Sequence, residues 1–302
     1  MRIFITGSNG FVAQKFCELV YPQSYSLLGV SKSENRNVYL NDTEFLRLDL
    51  KDKDSLRKAL DNFDPTHIFH TAAITAVDSC ENNKFEAYQI NVDLTCFLGE
   101  YAAEHNVHLT FLSTDFVFDG LLGVPYSEDD LMCPVNYYGE TKVLAESLLV
   151  DSNPDAVILR TILVYGAIPD SSRSNLVLWA KGQLEQHKHI KVVSDQWRMP
   201  TWVDDLAVAS LAAMKKQAKG IFHVSGEELM SVQEAVEYLA DTYNLDKNLI
   251  EPISSSAIGQ DKNRPRSTGF KLDKAKRFLN FKPTPYIKSL HYICGQLKKY
   301  GK

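Results

Sequence analysis

The chain has 302 residues, 44% hydrophobic and 24% charged, which is the make-up of a globular protein with one large core or two fused domains. A net charge of -5 speaks against a nucleic-acid binder, whose contact face is normally basic. No apolar run approaches the ~20 residues of a membrane span, and the N-terminus passes from RIFITG into a Gly-rich turn, unlike a signal peptide.

In chain order, RIFITG reads as a buried strand, followed by a helix over Phe11 to Val20. Tyr25 to Ser31 and Phe45 to Leu50 read as the second and third strands. DKDSLRKALDNF then forms a helix with Asp52 or Asp54 at its cap. THIFHTAA is a fourth strand, Lys84 to Glu104 a long helix, and HLTFLSTDFVF a fifth strand. A helix carrying Tyr138 and a sixth strand, AVILRTILVYG, complete the alternation. Strands alternating with helices predict parallel βαβ units, hence an α/β fold with a doubly wound parallel Rossmann sheet. After Gly166 the rhythm changes to a turn-rich AIPDSSRSN and a smaller mixed α/β region. Residues 1–166, completed by parts of 190–225, are expected to bind a dinucleotide; residues 167–302 supply a substrate region, the boundary being discontinuous.

ITGSNGFVA places Gly7 and Gly10 between a strand and a helix. Gly7 permits the tight turn, and Gly10 removes a Cβ where backbone would approach a pyrophosphate. Ala13 takes the third small position of the fingerprint. The cradle thus comprises Gly7, Ser8, Asn9, Gly10, Phe11 and Val12. An acid at the end of the second strand would favour NADH; here stand Ser31 and Lys32, with Arg36 nearby, which suits the 2′-phosphate of NADPH. Asp49, with Leu50 beside it, is placed to meet the adenine amino group or to cap the next helix.

The fifth strand delivers Ser113 and Thr114 to the carboxyl edge of the sheet, where doubly wound folds bind ligands. Tyr138 and Lys142 are four apart and share a helix face, whereas Tyr137 pairs at that spacing with Thr141. Tyr-x-x-x-Lys alone arises by chance in many helices. Beside a dinucleotide turn and a strand-end hydroxyl, however, the three residues make a coherent ketone-reducing set.

With these residues in place, the chain resembles the extended short-chain dehydrogenase/reductase family over nearly its whole length. TAAITAVDSCE, STDFVFDG, PVNYYGETK and DQWRMPTWVDDLA are similar to segments of dTDP-4-dehydrorhamnose reductases. That resemblance implies reduction of the 4-keto group of a nucleotide-linked 4-keto-6-deoxysugar by NADPH or NADH. It implies Thr114, Tyr138 and Lys142 as the catalytic triad, and Ala72, Ala73 and Thr75 at the cofactor. Val77 and Asp115 would lie near the sugar, and Phe116 near the sugar and diphosphate. The guanidinium fork of Arg198 suits a diphosphate or a salt bridge within the smaller region, and Arg264 with Arg266 reaches the same cleft or forms a surface turn. Leu163, Phe116 and Arg198 depart from the residues frequent in those reductases. The same departures, with GIFHVSGEELMS and NRPRST, resemble the regulatory β subunit of methionine adenosyltransferase, a binding partner that keeps the fold and the dinucleotide. Thr114-Asp115-Phe116 lacks the glutamate of 4,6-dehydratases. A homodimer is the assembly usual among such relatives. Five scattered cysteines without a CxxC or Cys/His pair suit reduced thiols in the cytoplasm and give no metal site. The HKH stretch reads as a solvated turn.

Overall fold

A computed structural model describes residues 1–153 and 155–301. The first half comprises β1 (Arg2–Thr6), α1 (Phe11–Val20), β2 (Ser26–Ser31), β3 (Phe45–Arg47), α2 (Lys53–Phe63), β4 (His67–His70), α3 (Val77–Asn82), α4 (Lys84–Tyr88), α5 (Leu94–Glu104), β5 (His108–Thr114), α6 (Tyr137–Ser152) and β6 (Val157–Thr161). There follow β7 (Val164–Tyr165), α7 (Leu176–Glu185), β8 (Ile190–Val193), β9 (Trp197–Arg198), β10 (Thr201–Trp202), α8 (Val203–Lys215), β11 (Gly220–Val224), β12 (Met230–Ser231), α9 (Val232–Tyr243), β13 (Ile250–Ile253), β14 (Ser267–Thr268), α10 (Asp273–Leu279) and α11 (Tyr286–Lys299).

Seven parallel strands form one sheet in the order β11-β6-β5-β4-β1-β2-β3. Strand β1 shows why the sheet is covered on both faces. Its Ile3, Phe4 and Ile5 are all fully buried, and successive side chains point to opposite sides. Phe4 joins Leu60, Leu98 and Leu149 of α2, α5 and α6, while Ile3 and Ile5 join Phe16 of α1 and Leu211 of α8. The chain leaves β1 in opposite directions toward β2 and β4, which opens a crevice at the carboxyl edge between them. Helix α8 and strand β11 return to this layered unit from beyond residue 200. The remaining elements pack α7, α9 and α11 around Leu184, Leu239 and Leu290, with β8 and β13 paired beside them. Among the described residues no helix is long and apolar enough to cross a membrane.

Three elements differ from expectation. The helix over Lys84 to Glu104 is interrupted by a π turn at Gln89–Asp93. The sixth strand breaks after Thr161, where Leu163 takes a left-handed φ of 39°. The fifth strand stops at Thr114, whose side chain accepts from Phe116 N and starts a 3-10 turn over Asp115–Val117.

Candidate active site

The Gly-rich turn is built as a close approach. Gly7 has φ +68°, and a Cβ there would lie 2.8 Å from Ala72 Cα. A Cβ on Gly10 would meet the Gly7 carbonyl oxygen at 2.8 Å. Helix α1 starts at Gly10 with no side-chain cap, so its first-turn N–H groups face the crevice uncapped. The crevice opens into a cavity of about 1230 Å³ lined by Gly7, Asn9, Gly10, Phe11 and Val12. Backbone without side chains, uncapped amides and a cavity of this size fit a dinucleotide.

Ser8, read as part of the cradle, does not line the cavity. Its N–H donates to the Val30 carbonyl at 3.2 Å and its side chain is buried beneath the turn, against Gly29. Ser31 does line it, but its hydroxyl accepts from Asn9 N at 3.1 Å. Lys32 stands exposed at the rim, 3.4 Å from Asp49. Asp52, not Asp49, caps α2 by accepting from Ser55 N, so Asp49 remains with Leu50 on the cavity wall. Ala72, Ala73 and Thr75, which follow β4, also line the cavity.

Thr114, Tyr138 and Lys142 all line this cavity. Helix α6 is set by Asn136, whose side chain accepts from Gly139 N at 2.8 Å. A Cβ on Gly139 would fall 2.2 Å from the Phe116 carbonyl oxygen, so only glycine lets α6 sit this close to the end of β5. Burial pushes the Tyr138 hydroxyl well above its usual pKa; Asp115 adds to the rise and a hydrogen bond with Thr114 opposes it. Lys142 Nζ donates to the Leu112 carbonyl at 2.7 Å and lies 3.9 Å from the centre of the Phe111 ring. Burial pushes its pKa down to about 7. Tyr137 is turned elsewhere: its N–H donates to Glu81 and its ring sits under Lys84.

The residues expected at the sugar and diphosphate divide. Phe116 lines the cavity and packs edge-on against Tyr138 at 6.0 Å. Asp115 is on the cavity wall, but its carboxylate is buried, accepting from Thr114 and Thr268. Arg198 does not offer its guanidinium freely. It donates to the carbonyls of Trp197 and Pro265 at 2.7 Å and of Arg266 at 3.3 Å, with Asp115 at 3.8 Å, so its donors are engaged inside the protein. Val77 lies behind Tyr138 with Cys80 and Ala87 and does not line the cavity. Arg264 does line it, 3.4 Å from Asp78.

Residue-type reasoning missed Asn91. Its side chain donates to the Ile74 carbonyl and Thr141 Oγ1, both at 3.0 Å, and accepts from Ile74 N at 2.8 Å. It therefore ties the cavity wall to α6 from within the π turn. An asparagine inside a predicted helix carries no local signal of this; only the irregular turn reveals it.

Residues 1–298 match the family model described as "RmlD substrate binding domain". The chain is 29% identical over 291 residues to methionine adenosyltransferase 2 subunit beta of Pongo abelii, covering 94% of this chain and 84% of that protein. It is 28% identical over 312 residues to the dTDP-4-dehydrorhamnose reductase of Sinorhizobium fredii, covering 100% and 99%. Among solved structures, dTDP-4-dehydrorhamnose reductase of Bacillus anthracis, in complex with NADP, superposes with a TM-score of 0.86 at 26% identity, covering 98% of this chain and 99% of that one. A match running nearly end to end, on a sheet and crevice of the same kind, places the chain in the RmlD substrate-binding-domain family.

Proposed function

We propose that the protein is an NADP(H)-dependent reductase of the 4-keto group of a nucleotide-linked 4-keto-6-deoxysugar, with dTDP-4-dehydro-L-rhamnose as its substrate. The observation that carries this reading is the convergence of Thr114, Tyr138 and Lys142 in one cavity with the Gly7–Val12 cradle. The cradle would hold the pyrophosphate, Asp49 and Leu50 the adenosine end, and Lys32 with Arg36 the 2′-phosphate. A reduced nicotinamide bound in the crevice supplies the hydride. Thr114, whose hydroxyl donates to Asp115 in the dinucleotide-free protein, would turn that proton to the carbonyl oxygen as charge builds there. Tyr138, held protonated by burial, delivers its proton to that oxygen. Lys142 in its ammonium form stabilises the tyrosinate left behind. Phe116, Leu163 and Arg264, which line the same cavity, would face the substrate. The five scattered cysteines, with no CxxC spacing in the sequence, favour a reducing compartment such as the cytoplasm.

The test is consumption of NADPH by purified protein given enzymatically made dTDP-4-dehydro-L-rhamnose. Turnover that falls by orders of magnitude in Tyr138→Phe, with dinucleotide binding retained, supports the assignment. Near-normal turnover in that variant removes Tyr138 from the mechanism.

A second reading has its own support. Relatives at 29% and 31% identity are methionine adenosyltransferase β subunits. A dinucleotide-loaded binding subunit would form a stable complex with a methionine adenosyltransferase catalytic chain and turn over no keto sugar. Size-exclusion chromatography of the mixed proteins, alongside the NADPH assay, separates the two readings.

A further inference from the structure

Residues 166–175 link β7 to α7 and lie against the Gly-rich turn of the other half of the chain. Three contacts stitch them there. Gln14 Nε2 donates to Asp170 Oδ2 at 3.1 Å, Arg36 Nη1 to Ser172 Oγ at 3.1 Å, and Arg173 Nε to the Asn9 carbonyl at 3.2 Å. Asn9 is the hub of the arrangement, because its side chain also accepts from Arg36 N and donates to Glu34 O.

Five arginines line the cavity. Four of them have a carboxylate partner: Arg36 with Asp170 at 3.8 Å, Arg47 with Glu34, Arg198 with Asp115 at 3.8 Å, and Arg264 with Asp78 at 3.4 Å. Arg173 has none among the described residues, and its two terminal amino groups make no hydrogen bond there. A half-buried guanidinium with one nitrogen fixed and its fork open sits beside the uncapped start of α1. That combination of a planar cationic fork and backbone N–H groups is what a phosphate anhydride requires.

We propose that Arg173 is a ligand of the dinucleotide's pyrophosphate, carried on a strap from the second half of the chain that dinucleotide binding fixes in place. This rests on the dinucleotide reading above. The two open amino groups take phosphate oxygens while Nε stays on Asn9. The pyrophosphate is common to NADPH and NADH, whereas the 2′-phosphate belongs to NADPH alone, so Arg173 contributes equally to both and Lys32 to one.

Affinities of the full-length protein, Arg173→Gln and Arg173→Lys for NADPH and NADH, measured by calorimetry, test the assignment. Hydrogen exchange of residues 167–175 with and without NADPH provides a readout independent of turnover. Arg173→Gln should weaken both dinucleotides by the same factor, roughly ten- to hundredfold for loss of charge-assisted hydrogen bonds, and Arg173→Lys by less. NADPH should slow strap exchange in the wild type and not in Arg173→Gln. Equal thermal midpoints of the dinucleotide-free proteins exclude misfolding. Unchanged affinity for both dinucleotides overturns the proposal and leaves the dinucleotide reading standing. Weakening of NADPH alone overturns it in favour of a 2′-phosphate contact. A wild type that binds neither dinucleotide overturns the dinucleotide reading, and the proposal with it.

Discussion

Lys142 is an amine held almost completely out of water at a sheet edge, with no carboxylate within ion-pair distance among the described residues. Burial lowers its pKa from 10.5 to about 7 in the dinucleotide-free protein. The folded state therefore binds the proton less tightly than the unfolded state. The resulting penalty is complete below pH ~7, shrinks as pH rises between the two values, and is gone above the unfolded value. Lys142→Met removes the buried charge. In the absence of dinucleotide it should be more stable than the wild type at pH 6, by an amount on the order of a few kcal/mol, and the gap should close toward pH 10. Chemical denaturation across that range measures the difference; a gap independent of pH would mean that the amine is already neutral at pH 6. On the proposed mechanism the same variant should also lose reductase turnover, and the site would then exchange stability for chemistry at one residue.

Helix α6 carries both Tyr138 and Lys142, and one buried ion pair on the same helix fixes it against β6. Glu146 and Arg160 are each about 1% exposed, with Arg160 Nη2 donating to Glu146 Oε2 at 2.7 Å and Nε bridging both carboxylate oxygens at 3.1 Å. The guanidinium also donates to the Glu128 carbonyl. Removing one partner strands the other charge in the core. Glu146→Leu or Arg160→Met alone should each cost about 3–5 kcal/mol, and the double substitution less than the sum of the two. Urea unfolding of the four proteins closes the cycle; additive costs would show that the pair does not act as a unit. A tighter constraint lies at the start of the helix. Gly139→Ala would drive a methyl into the Phe116 carbonyl and displace α6 from β5. Turnover should fall far more than dinucleotide affinity, which steady-state kinetics beside calorimetry resolves. How much of this element could be read from sequence follows from the range of its contacts. The Tyr138–Lys142 pair and the Gly7–Gly10 turn are visible because helix periodicity and a strand–turn–helix junction are local. The π turn at Gln89–Asp93 is invisible because Asn91 is held by Ile74 and Thr141, far away in sequence. Leu163 breaks the sixth strand with no glycine or proline to mark it. Arg198 looks like a phosphate ligand until the carbonyls of Pro265 and Arg266 are folded onto it.

At the scale of the molecule, the two halves are interleaved rather than tethered, because the chain returns to the sheet with α8 and β11 and then closes the end of α11 on α1. The closure is a polar cluster. Lys15 is 2% exposed and donates to Glu18 Oε2 at 2.8 Å and Tyr300 OH at 2.9 Å, with Asp204 at 3.6 Å. Tyr300 OH donates to Glu18 at 2.6 Å, and Lys299 Nζ at 3.0 Å. Gln296 reaches Asp204 at the start of α8, so α1, α8 and α11 meet at one point. Burial would raise the Glu18 pKa, but its hydrogen bonds with Lys15 and Tyr300 and the Lys15 charge bring it down to about 2. A depressed carboxylate stabilises the fold above its unfolded pKa, and that contribution is lost as pH falls through the unfolded value toward the folded one. Glu18→Gln leaves Lys15 buried with a weaker partner. At pH 7 it should be less stable by about 2 kcal/mol, and the difference should vanish as pH falls from about 4.5 toward 2. Because α1 begins at the Gly-rich turn, the melt of this variant also tests how the two halves are coupled. A single cooperative transition displaced to lower temperature means that both halves still unfold together. A split transition, with α11 lost first, means that the cluster alone couples them. The returns of α8 and β11 to the sheet, untouched by the substitution, favour the single transition.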